Sequence, residues 1–537
     1  MKSIFFLFLN CLFATEVLIQ VNPSEIRSLP SFCPVATLKN LVIGRIEETE
    51  LKTLSPKTKI LTTLPVSPDE LFYLVSPSPY LSKEEGKRLL TERSEILTED
   101  GYTFFVKGKE KDLISLLPSG FEITNISLKP IILSEPAKEE PPLLKIEPNS
   151  ENPVIQEILA RITPTEVAQL VRELSGEVPV MIQGHLDTIR TRYALASKNS
   201  SAGWYIYEKF QSFNLDSVNF HTFTWSGNRT DSNVIGTKNG RVYPHKYWII
   251  GGHFDCISES PSTYAPGADD NASGTVAAII AAKYMSPYPW KYTIKFINWN
   301  AEEFGLYGSD AHARLVRNRD DSIMGVLNAD MIATEMGSNM VEVYTSTRLG
   351  SRAIGDTFYL CNERYNIGLS VRRSTEAPSW SDHYSYWQQN YEAICAIEYD
   401  FCPYYHTTQD RITASSFDTI FFARVVKNLV ATLATLAIPD TEINTIREEK
   451  ISSPLSSLRV SPNPCGHKTK ISFLPNGKDK TLKIYNTNGE LVNSFTLPPK
   501  GIVWDGRDKN GQRRPGIYFL KMEFSNQEIS QKLILLE

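Results

Sequence analysis

Five short segments in the middle of this 537-residue chain each deliver carboxylate or imidazole side chains at the end of an apolar run. They are Gly251-Gly252-His253-Phe254-Asp255, Gly267-Ala268-Asp269-Asp270-Asn271, Asn300-Ala301-Glu302-Glu303-Phe304, Asn328-Ala329-Asp330-Met331 and Tyr405-His406-Thr407-Thr408. Two histidines, two aspartates and one glutamate suit a pair of borderline-soft divalent ions. One bridging carboxylate can hold both ions about 3.5 to 4 Å apart and leave a bridging water as nucleophile. The neighbouring Glu302 is then free to move protons.

The segments fall where an open α/β sheet places its ligands, beyond the carboxyl ends of the strands. Lys246 to Ile250 reads as a buried strand ending at Gly251-Gly252, and Tyr292 to Trp299 as another ending at Asn300-Ala301. Gly325 to Met331 and Ala393 to Glu398 read as two further strands. Helix-like stretches lie between and after them at Ala272 to Met285, Leu306 to Arg317, Ser351 to Glu363 and Phe417 to Ala437. The expected fold class is α/β, a mixed sheet flanked by helices.

Over roughly residues 180 to 437 the chain resembles the co-catalytic zinc aminopeptidases typified by secreted bacterial leucyl aminopeptidases. Pro266 to Gly274, Asn300 to Glu303, Ser381-Asp382-His383 and His406 to Asp410 arrive in that family's order. The resemblance implies a zinc exopeptidase-like fold and two zinc ions per chain. It implies that His253, Asp269 and Asp330 hold one ion and Asp269, Glu303 and His406 the other, with Asp269 as the bridge. It also suggests a cis peptide between Asp269 and Asp270. Asp255 is placed to accept the second N–H of His253 and so fix its tautomer. Glu302 would take a proton from the attacking water and return it to the leaving amine. Some relatives carry an oxyanion-stabilising tyrosine just before Ser-Asp-His, where this chain has Pro378-Ser379-Trp380. Others use the residue before the last zinc histidine, which here is Tyr405.

The chain also holds a decoy, Gly184-His185-Leu186-Asp187 after an apolar run, but no acidic turn or glutamate pair follows it. His221, His245, His312 and His467 lack a partner series and read as surface or structural, His383 as shaping its loop, and Cys256 as a small hydrophobe.

A chain of this length exceeds one ordinary domain, and its 41% hydrophobic content indicates globular structure. A net charge of -5, with no basic stretch interleaved with aromatics, excludes nucleic acid as a partner. Residues 1–22 read as a secretory signal. Residues 23–133 read as a small α/β domain, either a propeptide or an accessory domain. The Pro-rich, acidic 134–153 reads as a linker, 154–437 as the catalytic domain and 438–457 as a second linker. Short alternating strands over 458–537 indicate a β-sandwich. Trp504-Asp505-Gly506-Arg507-Asp508 and Pro515-Gly516-Ile517-Tyr518 resemble Ig-like domains of the flagellar hook-capping type and the sorting domains of type IX secretion. That resemblance implies contact with the secretion machinery or cell surface.

Seven cysteines permit disulfides in an oxidising compartment, the pairing favoured being Cys395 with Cys402. The expected activity is that of a secreted zinc aminopeptidase acting on peptides. The apolar and aromatic Phe254, Trp380 and Phe401 beside the ligands favour apolar first residues. A carboxypeptidase, a one-zinc glutaminyl cyclase and a non-catalytic binding protein on the same scaffold stay open.

Overall fold

The computed structural model describes residues 16–132, 151–440 and 457–536, apart from residues 30, 39, 57, 68–69, 227, 462, 464, 475–479, 488, 498–500 and 525–526. Most of the expected signal (1–15) and of both linkers (133–150 and 441–456) lies outside the described residues. Residues 1–440 form one compact unit and 441–537 another.

The first unit opens with strand β1 (Glu16–Val21), which pairs with β3 (Val42–Glu47) and β4 (Lys59–Thr63); β2 (Cys33–Thr37) completes the sheet on the far side of β3. Val17, Leu18, Ile19 and Val21 are almost wholly buried in this central strand.

A second sheet of order β6-β7-β5-β8 follows. It comprises β5 (Leu71–Pro77), β6 (Ser94–Asp100), β7 (Thr103–Gly108) and β8 (Phe121–Ile126), with helices α1 (Lys83–Thr91) and α2 (Glu110–Ile114). Ser82 caps α1, its hydroxyl accepting from the Glu85 amide.

Helices α3 (Pro153–Arg161) and α4 (Pro164–Leu174) each begin with proline after a capping Asn152 or Thr163. A hairpin of β9 (Val180–Ile182) and β10 (His185–Asp187) and helix α5 (Asn199–Gln211) lead into the main sheet. Its eight strands are β11 (Ser217–Trp225), β12 (Arg229–Lys238), β13 (Tyr243–His253), β14 (Tyr292–Trp299), β15 (Ser322–Ala329), β16 (Met340–Tyr344), β17 (Ser370–Ser374) and β18 (Ala393–Glu398). They run in the order β11-β12-β14-β13-β15-β18-β16-β17, with the central β14-β13-β15-β18 parallel.

Alternate residues of the central strands face opposite sides of this sheet. Trp248, Ile250, Ile294, Phe296 and Leu327 share one core with α6 (Gly274–Met285) and, further along the chain, the long α10 (Thr419–Ala437). That last helix is apolar enough to span a membrane by composition, but here it is mostly buried in the fold. Helix α8 (Leu349–Arg364) packs against α10. On the other face Tyr247, Ile249, Ile297, Trp299 and Val326 meet α7 (Tyr307–Asn318) and α9 (His383–Gln388).

That second core also contains Leu18, Val35 and Ile43 of the first sheet and Phe72, Leu74 and Phe105 of the second. The N-terminal domain is therefore continuous with the core of the eight-stranded sheet.

The second unit has a three-stranded sheet (Ser457–Ser461, Thr469–Leu474, Ile502–Trp504) and a four-stranded sheet (Lys480–Asn486, Leu491–Leu497, Gly516–Phe524, Gln527–Leu535). Leu458, Ile471 and Trp504 from the first share a core with Leu482, Ile484, Leu520 and Leu533 from the second, as the sandwich reading expects.

Cys395 and Cys402 are both buried free thiols, which corrects the expected disulfide. Cys395 lies 3.5 Å from the Asn328 amide, whereas Cys402 packs with Met331, Ile397 and Tyr405.

Candidate metal centre

Three of the parallel strands end at the candidate residues: His253 ends β13, Glu302 and Glu303 follow β14, and Asp330 follows β15. Between β13 and β14 the chain turns through Gly267, at φ 48°, into the acidic pair ahead of α6. Gly274 starts that helix against β15, where a Cβ would fall 2.1 Å from the Ala329 carbonyl oxygen. Only glycine lets the helix start so close to the strand.

His253 Nε2 lies 3.4 Å from Asp270 Oδ1, 3.4 Å from Asp330 Oδ1 and 3.8 Å from Glu302 Oε2. His406 Nε2 lies 3.3 Å from Asp270 Oδ2 and 2.9 Å from Glu303 Oε2. All six residues are buried. The position between the two histidines thus belongs to Asp270, not Asp269. Asp269 turns away, its carboxylate accepting from the Ala333 amide (2.9 Å) and the Thr334 hydroxyl (2.5 Å). The cis peptide likewise joins Asp270 to Asn271 rather than Asp269 to Asp270. Asp410 fixes this register, because its two carboxylate oxygens accept from the amides of Asp269 (2.9 Å) and Asp270 (3.0 Å).

Asp255 serves the site differently from expectation. The Nδ1 of His253 meets the main-chain carbonyl of Asp255 at 3.1 Å, with the carboxylate at 3.7 Å. That carboxylate instead accepts from the amides of Glu302 (3.0 Å) and Glu303 (3.2 Å), holding the glutamate turn under the histidine. Asp330 is oriented by the Ser381 hydroxyl at 2.5 Å, itself held by Asn328. Asp410 and Ser381 stood inside segments that the sequence singled out, but their contacts arise only in three dimensions. Met331 and His406 both take left-handed backbone angles (φ 49° and 58°), a conformation that persists for such residues where the surroundings enforce it.

Burial acts to raise the Asp270 carboxyl, yet the hydrogen bonds and charges of His253 and His406 hold it well below the usual range. Burial carries Glu302 well above its ordinary value, and burial with the Asp270 charge pushes Glu303 up to about 7. Burial opposes charge on both imidazoles, but Glu302 and Asp330 raise His253 and Glu303 and Asp270 raise His406 well above the histidine range.

A buried set of two imidazoles and four carboxylates needs compensating cations. Among the described residues, no Lys or Arg lines the cavity of about 680 Å³ that opens onto it. His406 Nε2 and Glu303 Oε1 lack hydrogen-bond partners among the described residues. Divalent metal ions with nitrogen and oxygen ligands fit these donors.

The Tyr405 ring stacks on His406 at a centroid distance of 3.7 Å, and its buried hydroxyl has no hydrogen-bond partner among the described residues. Trp380 and Phe401 line the cavity, whereas Phe254 is buried away from it. His185 is exposed on the β9-β10 hairpin. Cys256 points its thiol at the Ala265 carbonyl, and His383 is a buried imidazole pushed down to about 3 by burial.

Residues 233–431 match peptidase family M28, and residues 459–536 match the secretion system C-terminal sorting domain. A probable zinc metalloprotease of Pyrenophora teres f. teres is 27% identical over 225 residues, covering 37% of this chain and 46% of the relative. A probable leucine aminopeptidase 2 of Aspergillus oryzae is 37% identical over 109 residues, covering 20% of this chain and 21% of that protein. The chain spans less than half the length of these curated relatives. The crystal structure of the LapA aminopeptidase of Legionella pneumophila superposes with a TM-score of 0.53 at 18% identity, covering 69% of this chain and 99% of that one, a likeness of fold.

Proposed function

We propose that this secreted or surface-held chain, whose catalytic unit is an M28 zinc metallopeptidase domain, is an aminopeptidase built around two zinc ions. The observation that carries the proposal is the placement of Asp270, whose two oxygens approach the Nε2 atoms of two different histidines at 3.4 and 3.3 Å. One carboxylate is thereby shared between two ligand sets. His253, Asp330 and Asp270 would hold one ion, and Asp270, Glu303 and His406 the other.

When bound, the ions would polarise the peptide carbonyl and lower the pKa of water. Glu302 lies beside His253 but is not needed in either ligand set. It receives the proton of the attacking water and delivers it to the departing amine. Asp255 fixes the main chain of Glu302, so the carboxylate is aimed rather than searching. The unpaired Tyr405 hydroxyl is a donor held without an acceptor, as stabilisation of a developing oxyanion requires. Tyr405→Phe is expected to lower kcat by about 100-fold with metal content unchanged. Steady-state rates and metal analysis of that variant check it, and a rate within a few-fold of the parent would remove the tyrosine from the reaction.

The cavity wall combines these acidic groups with Leu38, Leu81, Tyr102, Trp380, Ile397 and Phe401, which favours peptides with an apolar first residue. The test pairs zinc analysis of the full chain with cleavage of leucyl, aspartyl and N-acetyl-leucyl peptides. Two zinc ions per chain and fastest cleavage of the free leucyl peptide are expected. A single zinc under zinc-replete conditions would overturn the dinuclear reading and favour a cyclase-like site. Faster cleavage of the acetylated peptide would overturn the aminopeptidase reading.

A further inference from the structure

The N-terminal domain does more than share a core with the catalytic domain. The Nδ1 of His406 bonds the Leu117 carbonyl at 2.7 Å, so an atom of the N-terminal domain orients an imidazole of the metal centre. Strand β8 then packs beside the site. Its Thr124 hydroxyl donates to the Ser379 carbonyl, and its Asn125 amide donates to Gly305 at 3.2 Å, two residues beyond Glu303. A Cβ on Gly305 would come within 2.6 Å of that amide nitrogen.

The cavity is therefore walled from both sides. Ser76, Pro77, Leu81, Tyr102 and Glu122 of the N-terminal domain face the metal-site residues across about 680 Å³, enough for a substrate residue. A domain acting as a plug would fill that space.

The carboxylates around the cavity are mostly committed. Asp270, Glu303 and Asp330 belong to the ligand sets and Glu302 to proton transfer. Glu398 accepts from the Ala333 and Thr334 amides, Glu342 pairs with Arg372 at 3.3 Å, and Asp100 accepts from Asn40. Glu122 differs. Its side chain lines the cavity and feels the charges of His406, Asp270, Glu303 and Asp330, yet its carboxylate has no hydrogen-bond partner among the described residues.

We propose that Glu122, supplied by the N-terminal domain, binds the α-ammonium group of the substrate and so confines the enzyme to free N-termini. This rests on the aminopeptidase reading above. An ammonium ion entering a cavity lined by no Lys or Arg among the described residues meets the Glu122 carboxyl group, and a charge-assisted bond there orients the first peptide carbonyl toward Glu302. The N-terminal domain is then a lasting part of the active site rather than a discarded inhibitor.

Full-length Glu122→Gln and Glu122→Asp test this against the parent. Calorimetry would compare leucinamide with 4-methylpentanamide, which lacks only the amine, alongside kcat and KM for a leucyl peptide and the zinc content. In Glu122→Gln, kcat/KM for the peptide and affinity for leucinamide should each fall about 10- to 100-fold. Affinity for 4-methylpentanamide and zinc content should hold, and Glu122→Asp should be intermediate. Equal losses for both amides, or no loss, would overturn the assignment. A rise in activity would make the domain an inhibitor and overturn it too. A parent enzyme with no preference for leucinamide would overturn the aminopeptidase reading and this inference together. A preference that survives in Glu122→Gln would sink this inference alone.

Discussion

Glu302→Gln is expected to keep both zinc ions and lose about 1,000-fold or more in kcat. Glutamine matches the volume of glutamate and leaves the Asp255 bond to the residue 302 amide intact, so the turn that carries Glu303 is preserved. What disappears is the one group placed to carry a proton without serving in either ligand set. The parent carboxyl is held above its ordinary range by burial, and it acts as a base only when ionised. Activity should therefore rise with pH as that carboxyl loses its proton, and the acid limb of the kcat/KM profile should vanish in the variant. Steady-state rates across pH with metal analysis check both statements. A variant with near-normal turnover would remove Glu302 from the proton pathway.

The second large effect separates two adjacent aspartates. Asp270→Ala removes the carboxylate lying between His253 and His406, so both ions should bind weakly and turnover should fall by at least about 1,000-fold. Asp269→Ala should instead retain two zinc ions. It strips the acceptor from the buried Thr334 hydroxyl and one of two acceptors from the Ala333 amide, which keeps Glu398, at a cost of roughly 1 to 3 kcal/mol in stability. Metal content and thermal denaturation of the two variants distinguish them. If Asp269→Ala lost both metals and Asp270→Ala neither, the bridge would revert to Asp269.

That pair marks where the sequence stops being legible. The strands carrying His253, Glu302, Glu303 and Asp330 could be read because an apolar run followed by acidic or imidazole residues leaves a local signal. Two neighbouring aspartates carry the same chemistry, and nothing local says which one faces the metals. The answer lies in Asp410, far along the chain, whose carboxylate takes both amides and sets the turn. The strand over Glu16 to Val21 was hidden for a similar reason, since the same apolar run suits a leader and a strand paired on both sides. Glu122 was invisible because its relevance comes wholly from docking. Within its own strand it is one glutamate among alternating residues, and only the packing of β8 against Ser379 and Gly305 brings it to the cavity.

The two clamps at the metal centre contain no metal. Asp410 grips the amides ahead of α6, and Asp255 grips those after β14, so the cradle is closed by main-chain hydrogen bonds inside a core already formed. In very small metal domains the ion supplies the folding energy and arrives with the fold. Here the ligand-bearing turns are pinned by two carboxylates that stand outside both proposed ligand sets. The ions would then balance the buried charge of a cradle whose main chain is held by other residues.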